Sequence, residues 1–128
     1  MESFPDDVRQ FLLNFIRSVE QLEILRVLGE EPDRIWSTEE LQRIAQVPAA
    51  AILKNLDELA ALGLLRQMSA PPNSTWQYGP QTDLLEGQVS RLLNVYRQRP
   101  VTMIRMVYDR TPTLLREFSE AFRLRKKD

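Results

Sequence analysis

The segment 37–63 carries the pattern that most restricts what this chain can fold into. Ser37-Thr38-Glu39-Glu40 is a capping-box start, a serine with a glutamate three residues on, in which each satisfies a free backbone donor of the other. Leu41, Ile44 and Ala45 supply a short apolar face behind it. Pro48 then disfavours helix at Val47 and suits the first turn of a new helix. Ile52, Leu53, Leu56, Leu59 and Ala60 give that second helix its expected buried side, and Gly63 stands where a left-handed C′ residue ends a helix. Two helices this short, joined by so tight a turn, must cross and share an apolar patch with further elements.

Those further elements are legible on both sides. After Gly63 the period changes from helical to alternating. Residues 64–68 read as a strand, 69–74 as a turn with Pro71, Pro72 and Asn73, and 75–78 as a second strand in which Trp76 and Tyr78 alternate with polar residues. Upstream, Pro5-Asp6-Asp7 suits a helix start, and Val8, Phe11, Leu12 and Phe15 follow at helical spacing. Ser18, with Gln21 three residues later, is a second capping box. Val19, Leu22 and Leu25 continue the stripe, so one bent helix and two separate helices both fit. Gly29 is the expected C′ stop, with a loop over 30–36. Downstream, a helix is expected over about 82–98, with Gly87 marking close packing. Pro100 breaks the run before a short helix over 101–108, and Thr111-Pro112 opens a last helix through Leu114, Leu115, Phe118, Ala121 and Phe122.

Composition removes several chemistries. The 128 residues contain no cysteine and no histidine, so disulfides, thiolate chemistry and the commonest neutral-pH base and metal ligand are absent. The four glycines stand apart and make no phosphate loop. The carboxylate pairs Asp6-Asp7 and Glu39-Glu40 sit at helix starts, where the helix dipole accounts for them. No enzyme activity, metal or cofactor is expected. No apolar run approaches the ~20 residues that span a bilayer. The opening Met-Glu-Ser-Phe-Pro-Asp-Asp lacks the basic and apolar parts of a secretory signal, so the expected compartment is the cytoplasm, with no membrane partner.

The order of helix, capped short helix, tight turn, helix and hairpin resembles the core of many bacterial winged helix-turn-helix transcription regulators. Ser37-Thr38-Glu39-Glu40-Leu41, Ile44-Ala45, Pro48, Ile52, Leu56, Leu59 and Gly63-Leu64-Leu65 carry the resemblance, which covers about residues 18–79. It implies a mainly α fold with a small β-hairpin: a winged helix-turn-helix core over 18–79, flanked by an N-terminal helix over 1–17 and a C-terminal helical extension over 80–128. It also implies a homodimeric, DNA-binding transcription regulator, with the helix from 48 to 62 in the major groove of double-stranded DNA and the hairpin as wing.

On that reading the contact positions are Ala49, Ala50, Ala51, Lys54 and Asn55, with Arg43 and Arg66 adding positive charge and Arg34 close by. The wing tip, 69–74, has no basic residue, and Asp57 and Glu58 follow the contact positions. Those features suit the alternative, a winged-helix module whose alanine-rich helix docks another protein. Charge is unevenly spread: ten acids against five bases over residues 1–47, four against three over 48–96, and four against nine over 97–128. The basic end suits flanking phosphates or the acidic half of a second subunit. The dimer interface is expected at Phe11, Phe15, Met103, Val107, Phe118 and Phe122, because Met103, Ile104, Met106 and Val107 make their helix apolar nearly all round. Trp36, Trp76 and Tyr78 are expected to pack in the core rather than line an effector pocket.

Overall fold

The computed structural model describes residues 4–109. Their order is α1 (Asp6–Phe15), α2 (Val19–Glu30), β1 (Ile35–Ser37), α3 (Thr38–Ala45), α4 (Ala49–Ala61), β2 (Leu65–Ser69), β3 (Thr75–Tyr78) and α5 (Asp83–Gln98). A further helical stretch, α6, covers 100–109. The class is mainly α with a small sheet, as expected. The expected last helix, with Phe118 and Phe122, lies outside the described residues.

The question left open at Ser18 is resolved as a break. Ile16 is extended, and Ser18 caps α2 by accepting from the Gln21 N–H at 3.2 Å. The Gln21 side chain accepts from the Arg17 N–H at 2.9 Å, one residue before the cap. The capping box at Ser37 and Glu40 forms in both directions. Gly63, at φ +81°, ends α4 as expected. Its N–H reaches the Ala60 carbonyl and the Leu64 N–H reaches that of Leu59, the paired bonds of a Schellman motif.

Four expectations need correction. Gly29 does not end a helix; α2 runs on to Glu30. A Cβ at Gly29 would lie 2.5 Å from Leu93 Cδ1, so this glycine lets α2 approach α5 closely. Gly87, expected to mark such an approach, has no atom within 4 Å of where a Cβ would stand, and it borders an open groove between α1 and α5. The loop after α2 contains a strand: β1 pairs antiparallel with β3, Trp36 opposite Trp76, to make a three-stranded sheet in the order β1-β3-β2. Three residues are too few to display a period, so only pairing reveals β1. Lastly, Ile44 and Leu53 were expected on buried faces and are exposed. The core faces of α3 and α4 are narrower than their apolar sequence suggests.

One continuous core joins the elements. Leu12, Leu22, Ile24, Leu25, Leu28, Leu41, Leu56, Leu59, Leu64 and Trp76 are completely buried within it. Trp36 and Tyr78 are buried too, in line with the packing role expected of the aromatics. α1 packs on α5, and α2 packs on α3, α4 and β3. No helix among the described residues is long and apolar enough to cross a membrane.

Candidate nucleic-acid interface

The turn between α3 and α4 is fixed by its backbone. Gln46 adopts the left-handed conformation, φ 56° and ψ 45°, and its N–H and that of Val47 both reach the Gln42 carbonyl. Val47 points into the core alongside Leu41, Ala45, Ile52 and Leu56. Pro48 is the N-cap of α4 and brings no side-chain cap, and no acid stands in the first turn. By contrast Ser18, Ser37 and Thr82 cap α2, α3 and α5 with their hydroxyls. The start of α4 therefore faces outward with its first backbone donors uncovered by side chains.

The outer face of α4 is presented by Ala49, Ala50, Leu53, Lys54 and Asp57, all exposed. Asn55 is not on it. It is only 9% exposed, and its Nδ2 donates to the Ala51 carbonyl at 3.0 Å, one turn back on the same helix. Asn55, expected to reach a base edge, is thus found with its amide oriented inward and already bonded. Lys54 and Arg43 are exposed, the latter in the last turn of α3 where the helix dipole favours a cation. Arg66 is exposed on β2, but its side chain lies against the backbone at Gly79, where a Cβ would be 2.3 Å from Arg66 Nε.

Arg34 is committed elsewhere. Its guanidinium lies 3.7 Å over the Trp36 ring and bridges Glu31 at 3.5 Å and Glu40 at 3.0 Å. The Ser37 N–H, followed by Arg34, holds the Glu40 carboxyl below its ordinary range. The exposed charges around α4 are then Arg43, Lys54 and Arg66 against Glu39 and Asp57, a small positive excess.

The hairpin is tied to this unit by side-chain hydrogen bonds that the sequence pattern did not reveal. Trp76 Nε1 donates to Thr38 Oγ1 at 2.9 Å, and the Thr38 hydroxyl donates to the Ser74 carbonyl at 3.1 Å. The first residue of α3 thereby holds the base of the hairpin tip. Within the tip, Ser69 Oγ donates to the Asn73 carbonyl at 2.8 Å, and Gln67 Nε2 donates to the Ser69 carbonyl and the Ser74 hydroxyl at 3.1 Å each.

No protein-family model and no curated protein sequence matches the chain. A solved structure does: the multiple antibiotic-resistance repressor MarR from Listeria monocytogenes 4b F2365 is similar at a TM-score of 0.51 and 18% identity, over 95% of this chain and 84% of that one. The chain has the winged helix-turn-helix fold. At that identity the likeness is one of fold. In winged-helix terms α3 and α4 are the helix-turn-helix, α4 is its second helix, and β2–β3 is the wing.

The residues expected at a dimer interface fall differently. Phe11, Met103 and Val107 are buried in the chain's own core, so in this conformation they offer no surface to a second copy. Met103 and Val107, with Ile104 and Met106 partly buried beside them, face that core, while Val101 and Tyr108 on the same helix do not. Phe15 is half-buried and stacks on Phe11 with ring centroids 4.4 Å apart. Phe118 and Phe122 lie outside the described residues. The large apolar side chains left exposed on the flanking helices include Leu84, at 73%, Val101, at 66%, and Tyr108. Their exposure could not be read from periodicity, because it depends on where α1, α5 and α6 meet.

Proposed function

We propose that this chain is a DNA-binding transcription regulator that acts as a homodimer and catalyses no reaction. The observation that supports it best is the outward-facing, uncapped start of α4, set by the tight Gln46-Val47-Pro48 turn that follows α3, the helix the wing braces. A helix so placed enters a major groove with its N-terminal residues toward the bases. Ala49 and Ala50 would lie nearest the base edges, and Lys54, Arg43 and Arg66 would meet bases or phosphates. The MarR neighbour is named a repressor, which is consistent with this reading. Dimerisation would use the flanking helices α1, α5 and α6, and the basic residues beyond 109 would add phosphate contacts or contacts to the partner copy. The cell interior, where duplex DNA is found, is the matching compartment.

A second reading keeps the fold and changes the partner. The small positive excess around α4, the inward Asn55 and a wing tip without a basic residue favour a protein-docking module. Binding of the purified protein to random duplex DNA over a salt series separates the two. A regulator gives affinity that falls steeply as salt rises, with some sequences preferred. A docking module gives no detectable binding even at low salt.

A further inference from the structure

The outer face of α4 is unusual in what it offers a base edge. Ala50, Leu53, Lys54 and Asp57 recur at helical spacing and are exposed, with Ala49 beside them. Across the first two turns, 49–55, the side chains able to hydrogen-bond are Lys54 and Asn55, and Asn55 is turned inward onto the Ala51 carbonyl. Amide readout of adenine, the common use of asparagine on such a helix, is therefore closed to it. What remains is two methyl groups, one isobutyl group and one ammonium. Leu53 is 47% exposed although the core side of α4 lies next to it.

In the major groove the apolar feature of the base edges is the C5 methyl of thymine. Alanines at the helix start let the backbone approach closely, and Leu53 stands one turn further in, at the reach of a neighbouring base step. Asp57, a further turn along, carries a charge that phosphates repel, so favourable contact is confined to these turns. Resting on the DNA-reading proposal above, we infer that α4 recognises duplex DNA through thymine methyl groups. Ala49, Ala50 and Leu53 contact the C5 methyls of a thymine-bearing half-site, and Lys54 supplies the polar contact to a neighbouring guanine or phosphate.

The test begins with selection of preferred sites from random duplexes at low salt. The selected duplex is then rebuilt with deoxyuridine in place of each half-site thymidine, which removes the methyl and leaves base pairing intact. Each contacted methyl should cost about fourfold in affinity when removed, the size of one buried methylene-scale contact. Leu53→Ala should weaken binding to the thymine duplex and flatten the thymine–uracil difference at one position, with the melting temperature lowered by no more than a few degrees because about half of Leu53 is exposed. Sequence-selective binding that is indifferent to deoxyuridine, or a selected half-site without thymine, overturns the methyl inference and leaves DNA reading intact. Absence of any DNA binding at low salt overturns both.

Discussion

The indole N–H of Trp76 and the hydroxyl of Thr38 are joined by a 2.9 Å hydrogen bond that links the inner strand of the wing to the first residue of the helix-turn-helix. Trp76 is completely buried, so this hydroxyl is a partner its indole cannot replace with water. Thr38 also donates to the Ser74 carbonyl, which makes one side chain the junction of α3, β3 and the wing tip.

Thr38→Val keeps the shape of the side chain and removes the hydroxyl. It should destabilise the fold by about 1–3 kcal/mol, the cost of stranding a buried donor. Thr38→Ser keeps the bond and should lose much less. Urea denaturation of both variants checks this, and equal losses would place the effect in packing rather than in the hydrogen bond.

Gln46 holds a left-handed conformation, which costs a side-chain-bearing residue roughly 1–2 kcal/mol relative to glycine. Gln46→Gly removes that strain and gives back part of the gain as unfolded-chain entropy. A net stabilisation of about 0.5–1 kcal/mol is expected, visible as a melting temperature raised by a few degrees. Gly63→Ala should act in the opposite direction. Its φ is +81°, and the new Cβ would meet the Gln81 side chain at 2.7 Å.

Glu23 on α2 ties two elements together. It accepts from Arg26 at 3.1 Å and from the Tyr96 hydroxyl of α5. Burial pushes its carboxyl pKa up, but the bonds from Arg26 and Tyr96 and the Arg26 charge outweigh this and hold it below its ordinary value of 4.5. The folded state therefore favours the ionised form. Its stabilisation is fully present above pH 4.5 and is lost as pH falls through the lowered folded-state value. Because Glu23 is partly solvated, Glu23→Gln should cost about 1 kcal/mol or less at pH 7. That difference from the parent should shrink on acidification to pH 3, as followed by denaturant unfolding at each pH.

The exposed Leu84 of α5 and Val101 of α6 are the apolar side chains we expect a second copy to cover. Sedimentation velocity should give a dimer for the parent chain and a monomer for the double variant Leu84→Glu with Val101→Glu, with circular dichroism unchanged. A variant that remains dimeric would move the interface to other surfaces.

The local elements were written in the sequence because their causes are local. Ser37 with Glu40, Ser18 with Gln21, and Gly63 after an apolar stripe announce helix ends through bonds between residues a few positions apart. The alternation at 75–78 announced a strand for the same reason. Together they determined the winged-helix order, and composition by itself, with no cysteine and no histidine, excluded thiol and imidazole chemistry.

The rest was decided by tertiary structure, because it depends on residues far apart in the chain. Trp36 becomes part of a strand through Trp76, forty residues away. Gly29 lies inside α2 rather than after it, and the space where its Cβ would stand is taken by Leu93. Phe11, Met103 and Val107 have the composition of an interface, yet α1 and α6 fold them into the core while Leu84 and Val101 are left outside. Asn55 has the chemistry of a base reader, and its inward rotation leaves that face of α4 to Ala50, Leu53 and Lys54. A helical stripe tells which residues share a face. It does not tell which face the remainder of the chain will cover.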